Sequence, residues 1–316
     1  MSVTEDIRAQ FASAGVRGWL HATPVGTASG EAVVDADDSV VMASVYKLPV
    51  LVAFCRAVDE AVLDPTEPVR LLPGDRTPGL TGTAAMSDAV VMSWRDLARS
   101  MIAVSDNAAG DALLDALGLE RVRDTLQALG LRRTRVEGGT RETHRILTAD
   151  TGARDLREAM ELLSDNDHPT TSKVFDPLLS SATTARDMTS LLAAIWTDIA
   201  ASPQQCRFMR AVLAQQIWPH RLSSGFPYPG VRIAGKTGTL GALRHEVGVV
   251  HHQHETAVAV AVFTQAARAD RNLPRVDAVI GTTARAAVTF LRRAEPPARG
   301  SATCDATLVG SRPRER

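Results

Sequence analysis

Residues 40–54 read Val-Val-Met-Ala-Ser-Val-Tyr-Lys-Leu-Pro-Val-Leu-Val-Ala-Phe, an apolar stretch interrupted by Ser44, Lys47 and Pro49. From residue 45 to 58 the pattern turns helical. Ser44 and Lys47 stand three residues apart at its start, which puts both side chains on one helix face, one turn apart. Serine is a weak nucleophile until a neighbouring base takes its proton. Lysine serves as that base only when desolvation or a second cation lowers its pKa. A serine that begins a helix also carries an unpaired backbone N–H that can face an oxyanion. The stretch is too interrupted to span a membrane, and no run of about 18 apolar residues occurs elsewhere.

On the N-terminal side the pattern is an amphipathic helix at about 3–14, then strands at 18–24 and 31–35 joined by a turn around Gly26 and Gly30. On the C-terminal side the chain stays mostly helical to about Gln216. Ser93 caps a helix with Asp96 three positions on, Gly118 and Gly130 close helices, and Ser202-Pro203 opens another. After Pro229 the period changes: 231–234, 246–250 and 256–264 are short and β-branched, followed by a helix over about 275–292. The order implies an α/β (α+β) fold, an antiparallel sheet built from both ends with a helical block inserted. Residues 1–292 form one domain, with an α/β part over about 1–45 and 220–292 and a helical part over about 46–219. The tail, 293–316, is expected to be disordered.

With 35 Lys plus Arg against 36 Asp plus Glu, the net charge is −1, which excludes the basic footprint of a nucleic-acid binder. The 45% hydrophobic and 22% charged content excludes disorder, collagen and coiled coil. Cys55, Cys206 and Cys304 form no CxxC pair or disulfide framework, and the N-terminus has no uninterrupted apolar run, so a cytosolic protein is expected. His251, His252 and His254 read as a hairpin loop and not a zinc site, and Trp94, Trp196 and Trp218 as core or cleft walls. No GxGxxG or GxxxxGK occurs. No cofactor, metal, nucleic acid or membrane partner is expected, only a small-molecule substrate.

Two further motifs follow the first. Ser105-Asp106-Asn107 lies between two helical segments, where Ser105 can relay a proton to a leaving nitrogen, Asp106 can cap the next helix, and Asn107 can hold Lys47 and a substrate carbonyl. Lys236-Thr237-Gly238-Thr239 ends the strand VRIAG, whose edge can hydrogen-bond an extended substrate while Gly238 lets it approach. Lys236, Thr237 and Thr239 suit a carboxylate, the Thr239 N–H completes an oxyanion hole, and Arg244 can add a guanidinium fork. Lys236 is also the cation that can lower the pKa of Lys47.

S-x-x-K, S-D-N and K-T-G in this order are the signature set of class A β-lactamases and penicillin-binding proteins. From about residue 17 to 292 the chain resembles that family, including the stretches MSWRDLARSMIAVSDNAAGDALLDALG and SATTARDMTSLLAAIW. The resemblance implies an antiparallel sheet beside an all-helical part, with the site in the cleft between them. It implies an acyl-enzyme route, with Ser44 as nucleophile, Lys47 as base, Ser105 as relay, Asn107 and Lys236 as electrostatic positioners and Thr239 as carboxylate binder. The family's E-x-x-L-N glutamate, which activates the deacylating water, has no counterpart between Ser105 and Thr183. The stretch from Thr134 to Glu142 starts like the approach to that motif and then diverges, leaving Glu142 or Glu137 as candidate bases. Ala43 replaces the family's cysteine before the nucleophile. The expected function is a serine hydrolase cleaving a carboxylate-bearing amide (β-lactam or peptide-like) or ester through acyl-Ser44. The alternatives are a D,D-peptidase or biosynthetic acyltransferase, and a penicillin-binding protein without turnover.

Overall fold

Residues 258–263 read Val-Ala-Val-Ala-Val-Phe, and side chains alternate across a strand, so the valines face one way and the alanines and Phe263 the other. Both faces are buried. The computed structural model describes residues 2–27, 30–165, 167, 170–270 and 272–294; the tail from Glu295 onward, expected to be disordered, and Cys304 lie outside the described residues. In chain order the elements are α1 (Val3–Ala14), β1 (Val16–Pro24), β2 (Ala32–Val34), β3 (Val40–Val41), a 3-10 turn (Ala43–Tyr46), α2 (Lys47–Asp59), β4 (Pro68–Leu71), a 3-10 turn (Gly82–Ala85), β5 (Val90–Ser93), α3 (Trp94–Ala103), α4 (Asn107–Leu117), α5 (Leu119–Ala128), α6 (Thr140–Thr151), α7 (Leu156–Ser164), β6 (Ala182–Thr183), α8 (Ala185–Trp196), α9 (Pro203–Leu213), a 3-10 turn (Leu222–Gly225), β7 (Val231–Leu240), β8 (Leu243–His252), β9 (Val258–Ala266) and α10 (Pro274–Ala294).

The main sheet is antiparallel throughout, in the order β2-β1-β9-β8-β7. Val258, Val260 and Val262 join Leu20, Ala22 and Val250 under α1 and α10, packing on Ile7, Phe11, Ile280, Val288 and Leu291. Ala259, Ala261 and Phe263 face the other way, where small side chains let α8 lie close, and join the larger core of α2, α3, α4 and α9 around Phe54, Met101 and Met188. An antiparallel sheet assembled from both ends of the chain is the expected architecture. Among the described residues no helix is long and apolar enough to cross a membrane.

Helix punctuation follows the sequence. The hydroxyls of Ser93 and Ser202 accept from the N–H of Asp96 and Gln205, and Gly118 and Gly130 adopt φ of 75° and 73°. Of the histidines read as a hairpin loop only His254 lies in the turn; His251 and His252 are the last residues of β8, paired with Arg232 and Val231.

Two expectations are corrected. The Lys236-Thr237-Gly238-Thr239 segment lies inside β7, because pairing with β8 continues from Val231↔His252 to Leu240↔Leu243. The part over about 46–219, all-helical by the resemblance, also contains strands: β4 pairs with β5, and β6 with β3. The second pairing positions the site, because it ties the backbone just before Ser44 to the far end of the 137–183 segment. There the Met42 N–H donates to the Ser181 carbonyl at 3.0 Å.

Candidate active site

Ser44 sits in the 3-10 turn Ala43–Tyr46 and Lys47 begins α2, so the pair three residues apart is stacked more directly than in an α-helix. Ala43 reaches this turn with φ 45°, a left-handed conformation that costs about 1–3 kcal/mol in a residue with a side chain. Close packing against β7 holds it there. A Cβ on Gly238 would lie 2.9 Å from the Met42 carbonyl and 3.0 Å from Val45 Cγ2, so glycine here serves the approach of the strand to the nucleophile's turn. Among the described residues the Ser44 hydroxyl has no hydrogen-bond partner, which leaves it open to the cleft.

Lys47 is fully buried. Its ammonium donates to the Ser105 carbonyl and to Asn107 Oδ1, both at 2.8 Å, and stands 3.4 Å from Ser105 Oγ. Burial brings its pKa down to about 7, against the pull of the Asp111 and Asp106 carboxylates. A neutral amine is therefore well populated at neutral pH. Lys236, also fully buried, donates to Ser105 Oγ at 2.9 Å and to the Thr237 carbonyl at 2.8 Å. Burial and the nearby Lys47 push its pKa down. Ser105 thus lies between two lysines, with φ 56°, a second strained non-glycine residue at the site.

Two buried carboxylates hold the frame. Asp106 accepts from the N–H groups of Thr83, Ala84 and Ala109 and from the Thr83 and Ser100 hydroxyls, and so fixes the S-D-N turn. Asp111 accepts from the N–H groups of Thr140 and Arg141 at the start of α6, both at 2.8 Å, and from the Thr77 hydroxyl at 2.5 Å. A carboxylate there neutralises the unpaired N–H groups of a helix N-terminus. Tyr46 joins this network through Thr140, with the Thr140 N–H donating to its hydroxyl at 3.1 Å.

On the β7 side the Thr237 N–H donates at 2.6 Å to Gln216 Oε1, and Gln216 Nε2 donates at 2.7 Å to the buried Glu246. The backbone groups of Thr237 therefore point away from β8. Two residues on, those of Thr239 point to the same open edge. Thr237 itself is buried and its N–H is occupied, so it braces the strand.

Arg244 is corrected. Its guanidinium donates to the carbonyls of Gly241, Leu243 and Asp270 at 2.5, 2.9 and 2.6 Å, bracing the β7–β8 turn. The guanidinium beside Thr239 is that of Arg221, which donates to Thr239 Oγ1 at 2.8 Å and to the Gly238 and His245 carbonyls, and pairs with Asp277 at 2.7 Å. No motif marks Arg221, Gln216, Glu246 or Asp111; each reaches the site only through tertiary packing.

A cleft of about 210 Å³ opens over Ser44, lined also by Asn107, Thr140, His144, Leu179 and Thr239. Glu137 and Glu142 both line it, but Glu137 pairs with Arg135 at 3.2 Å. Glu142 is bidentate to Arg145 at 2.8 and 2.6 Å, which lowers its pKa. The Asn107 side chain is also engaged, donating to the Pro78 carbonyl at 3.0 Å.

Three comparisons bear on this arrangement. The model of the beta-lactamase enzyme family matches residues 2–291. The beta-lactamase regulatory protein BlaB of Streptomyces cacaoi is 28% identical over 269 residues, 80% of this chain and 86% of that protein. The solved beta-lactamase of Sphaerobacter thermophilus DSM 20745 is 25% identical, with a TM-score of 0.73 over 93% of this chain and 98% of that one. PBP-A, 20% identical with a TM-score of 0.74 over 92% of this chain and 96% of that one, shares the fold.

Proposed function

Since the chain belongs to the beta-lactamase enzyme family, whose members are serine hydrolases acting on small β-lactam molecules, we propose that it forms an acyl-enzyme at Ser44 with a carboxylate-bearing amide or ester. The observation that carries this reading is the convergence of Ser105 Oγ on Lys236 at 2.9 Å and Lys47 at 3.4 Å, with Ser44 three residues before Lys47 and its hydroxyl without a partner among the described residues. Neutral Lys47 takes the Ser44 proton as Oγ attacks the carbonyl carbon. Ser105 delivers a proton to the leaving nitrogen, and Lys236 stabilises the negative charge that develops. The Ser44 and Thr239 N–H groups form the oxyanion hole, and Thr239 with Arg221 behind it takes the carboxylate.

A second reading, a penicillin-binding protein that acylates and holds the adduct or passes it to an amine, is favoured by one observation. Both cleft glutamates are committed to arginines. The BlaB relative is named a regulatory protein, which fits a site that binds and signals as well as one that turns over. Intact-protein mass after excess penicillin, with Ser44→Ala as control, separates the readings. An adduct that forms and disappears means hydrolysis, and one that persists means the second reading. Equal adduct on Ser44→Ala refutes the nucleophile.

A further inference from the structure

The cleft over Ser44 contains an imidazole that acylation leaves unused. His144 lies one turn into α6 and lines the same cleft as Ser44, Asn107 and Thr140. Among the described residues neither ring nitrogen has a hydrogen-bond partner. The charged side chains that line the cleft and those on α6 are engaged. Lys47 is held by the Ser105 carbonyl and Asn107, and Asp111 by the N–H groups of α6. Glu137 and Glu142 pair with Arg135 and Arg145, and Arg141 with Asp115 at 3.1 Å. Lys173, from the segment packed on α6, pairs with Asp150 at 3.8 Å.

The charge state suits a base. Burial lowers the His144 pKa from 6.5; the Asp111 carboxylate pulls it up and the Lys47 ammonium pushes it down. The ring is neutral at pH 7, with a lone pair available.

We propose that His144 is the general base that activates water against acyl-Ser44, since Glu137 and Glu142, on the same cleft, are each paired with an arginine. The inference rests on the acyl-enzyme reading above. In the step, the imidazole takes one proton from a water whose oxygen attacks the ester carbon. The tetrahedral intermediate then expels Ser44 Oγ, which receives that proton from the imidazolium. Acyl-Ser44 and water thus give free Ser44 and a carboxylic acid. The Thr140 hydroxyl, on the same wall and 3.4 Å from Asn107 Oδ1, offers the water an anchor.

The test follows formation and loss of the penicillin G adduct by intact mass between pH 5 and 8, on the full chain and on His144→Ala and His144→Gln. The ratio of deacylation to acylation rate should fall about 10²–10⁴-fold in both variants, the usual worth of a general base. Added imidazole should shorten the adduct's life in His144→Ala, a rescue that a merely structural histidine would not give. In the unsubstituted protein, deacylation should rise with pH through an inflection below 6.5, while acylation inflects near 7 with Lys47. Two results overturn the inference while leaving Ser44 acylation standing. One is an adduct that persists in the unsubstituted protein; the other is one lost equally fast from His144→Ala. No adduct at all overturns the acyl-enzyme reading for penicillins and the inference with it.

Discussion

Asp106→Ala tests whether the S-D-N turn is held by one carboxylate. Its Oδ2 accepts from the Thr83 N–H at 2.6 Å and from the Thr83 and Ser100 hydroxyls, both at 2.8 Å. Its Oδ1 accepts from the Ala84 and Ala109 N–H groups, both at 3.2 Å. The residue is fully buried. In the alanine variant the two hydroxyls can rotate to other acceptors, but the three N–H groups cannot, and a stranded buried donor costs about 1–3 kcal/mol. Loss of the α4 cap at Ala109 accounts for about 1 kcal/mol of that. Because neighbouring terms are not additive, the expected total is about 3–5 kcal/mol. Asp106→Asn keeps Oδ1 and turns an NH₂ toward the Thr83 N–H, so it should cost about half as much. The assay is urea unfolding of both variants, with acylation by penicillin measured well below the midpoint. Acylation should fall further than the folded fraction does, because Ser105 at φ 56° and Asn107 flank the lost anchor. A loss below about 1 kcal/mol for alanine, or an asparagine variant no milder than alanine, refutes the reasoning.

Gly82, at φ 63° with its Cβ position occupied by the Asp106 carboxylate, should lose stability and acylation together when changed to alanine, read by the same two measurements. Arg221→Ala should raise KM for a carboxylate-bearing penicillin about 10–100-fold more than for its methyl ester, the usual loss of a charged hydrogen bond. Arg244→Ala should lower Tm without changing that ratio, and equal ratios for the two arginine variants would contradict the assignment. Glu246 has its pKa raised to about 7 by burial. The folded state therefore binds its proton more tightly than the unfolded state, and stability from this group falls as pH rises from about 4.5 to 7. The shift is worth roughly 3 kcal/mol, so the stability difference between Glu246→Gln and the unsubstituted protein should grow by that order between pH 5 and 8. A pH-independent difference in urea midpoints would count against it.

Local rules carried the sequence far at some elements and not at others. The caps at Ser93 and Ser202, the bounds of α1 and the three catalytic motifs are written in neighbouring residues, where hydrogen-bonding groups and spacing are visible together. In the sequence, Lys236–Thr239 closes the strand VRIAG, because a glycine there resembles a turn. Pairing with β8 overrides that preference along all of Lys236–Leu240. β4 and β5 were hidden because each is short and its partner lies some twenty residues away across loops. In the sequence Arg244 stands out only by lying a few residues past K-T-G. The antiparallel register does put it opposite Thr239, but its guanidinium turns to the carbonyls of the hairpin and an adjoining loop. Arg221 arrives from a different segment, held by Asp277 of α10, and no spacing rule announces such a meeting.

The donor directions at these meetings decide what the site can do. Arg221 has no acceptor atom, so it donates to Thr239 Oγ1 and the threonine hydrogen must point elsewhere. Thr239 is exposed on the edge strand β7 and lines the cleft, with the Arg221 guanidinium behind its hydroxyl. In the proposed reaction this is where the substrate's carboxylate docks. The same logic applies at Ser105 in the proposed reaction: Lys236, as an ammonium, donates to its oxygen and leaves the serine hydrogen for a leaving nitrogen. Lys47, 3.4 Å away and carrying the proton taken from Ser44, can then restore it. In both cases a buried basic group, Arg221 or Lys236, occupies the hydroxyl oxygen, and the proposed reaction divides the work between them, one serving the substrate's charge and the other the path of its proton.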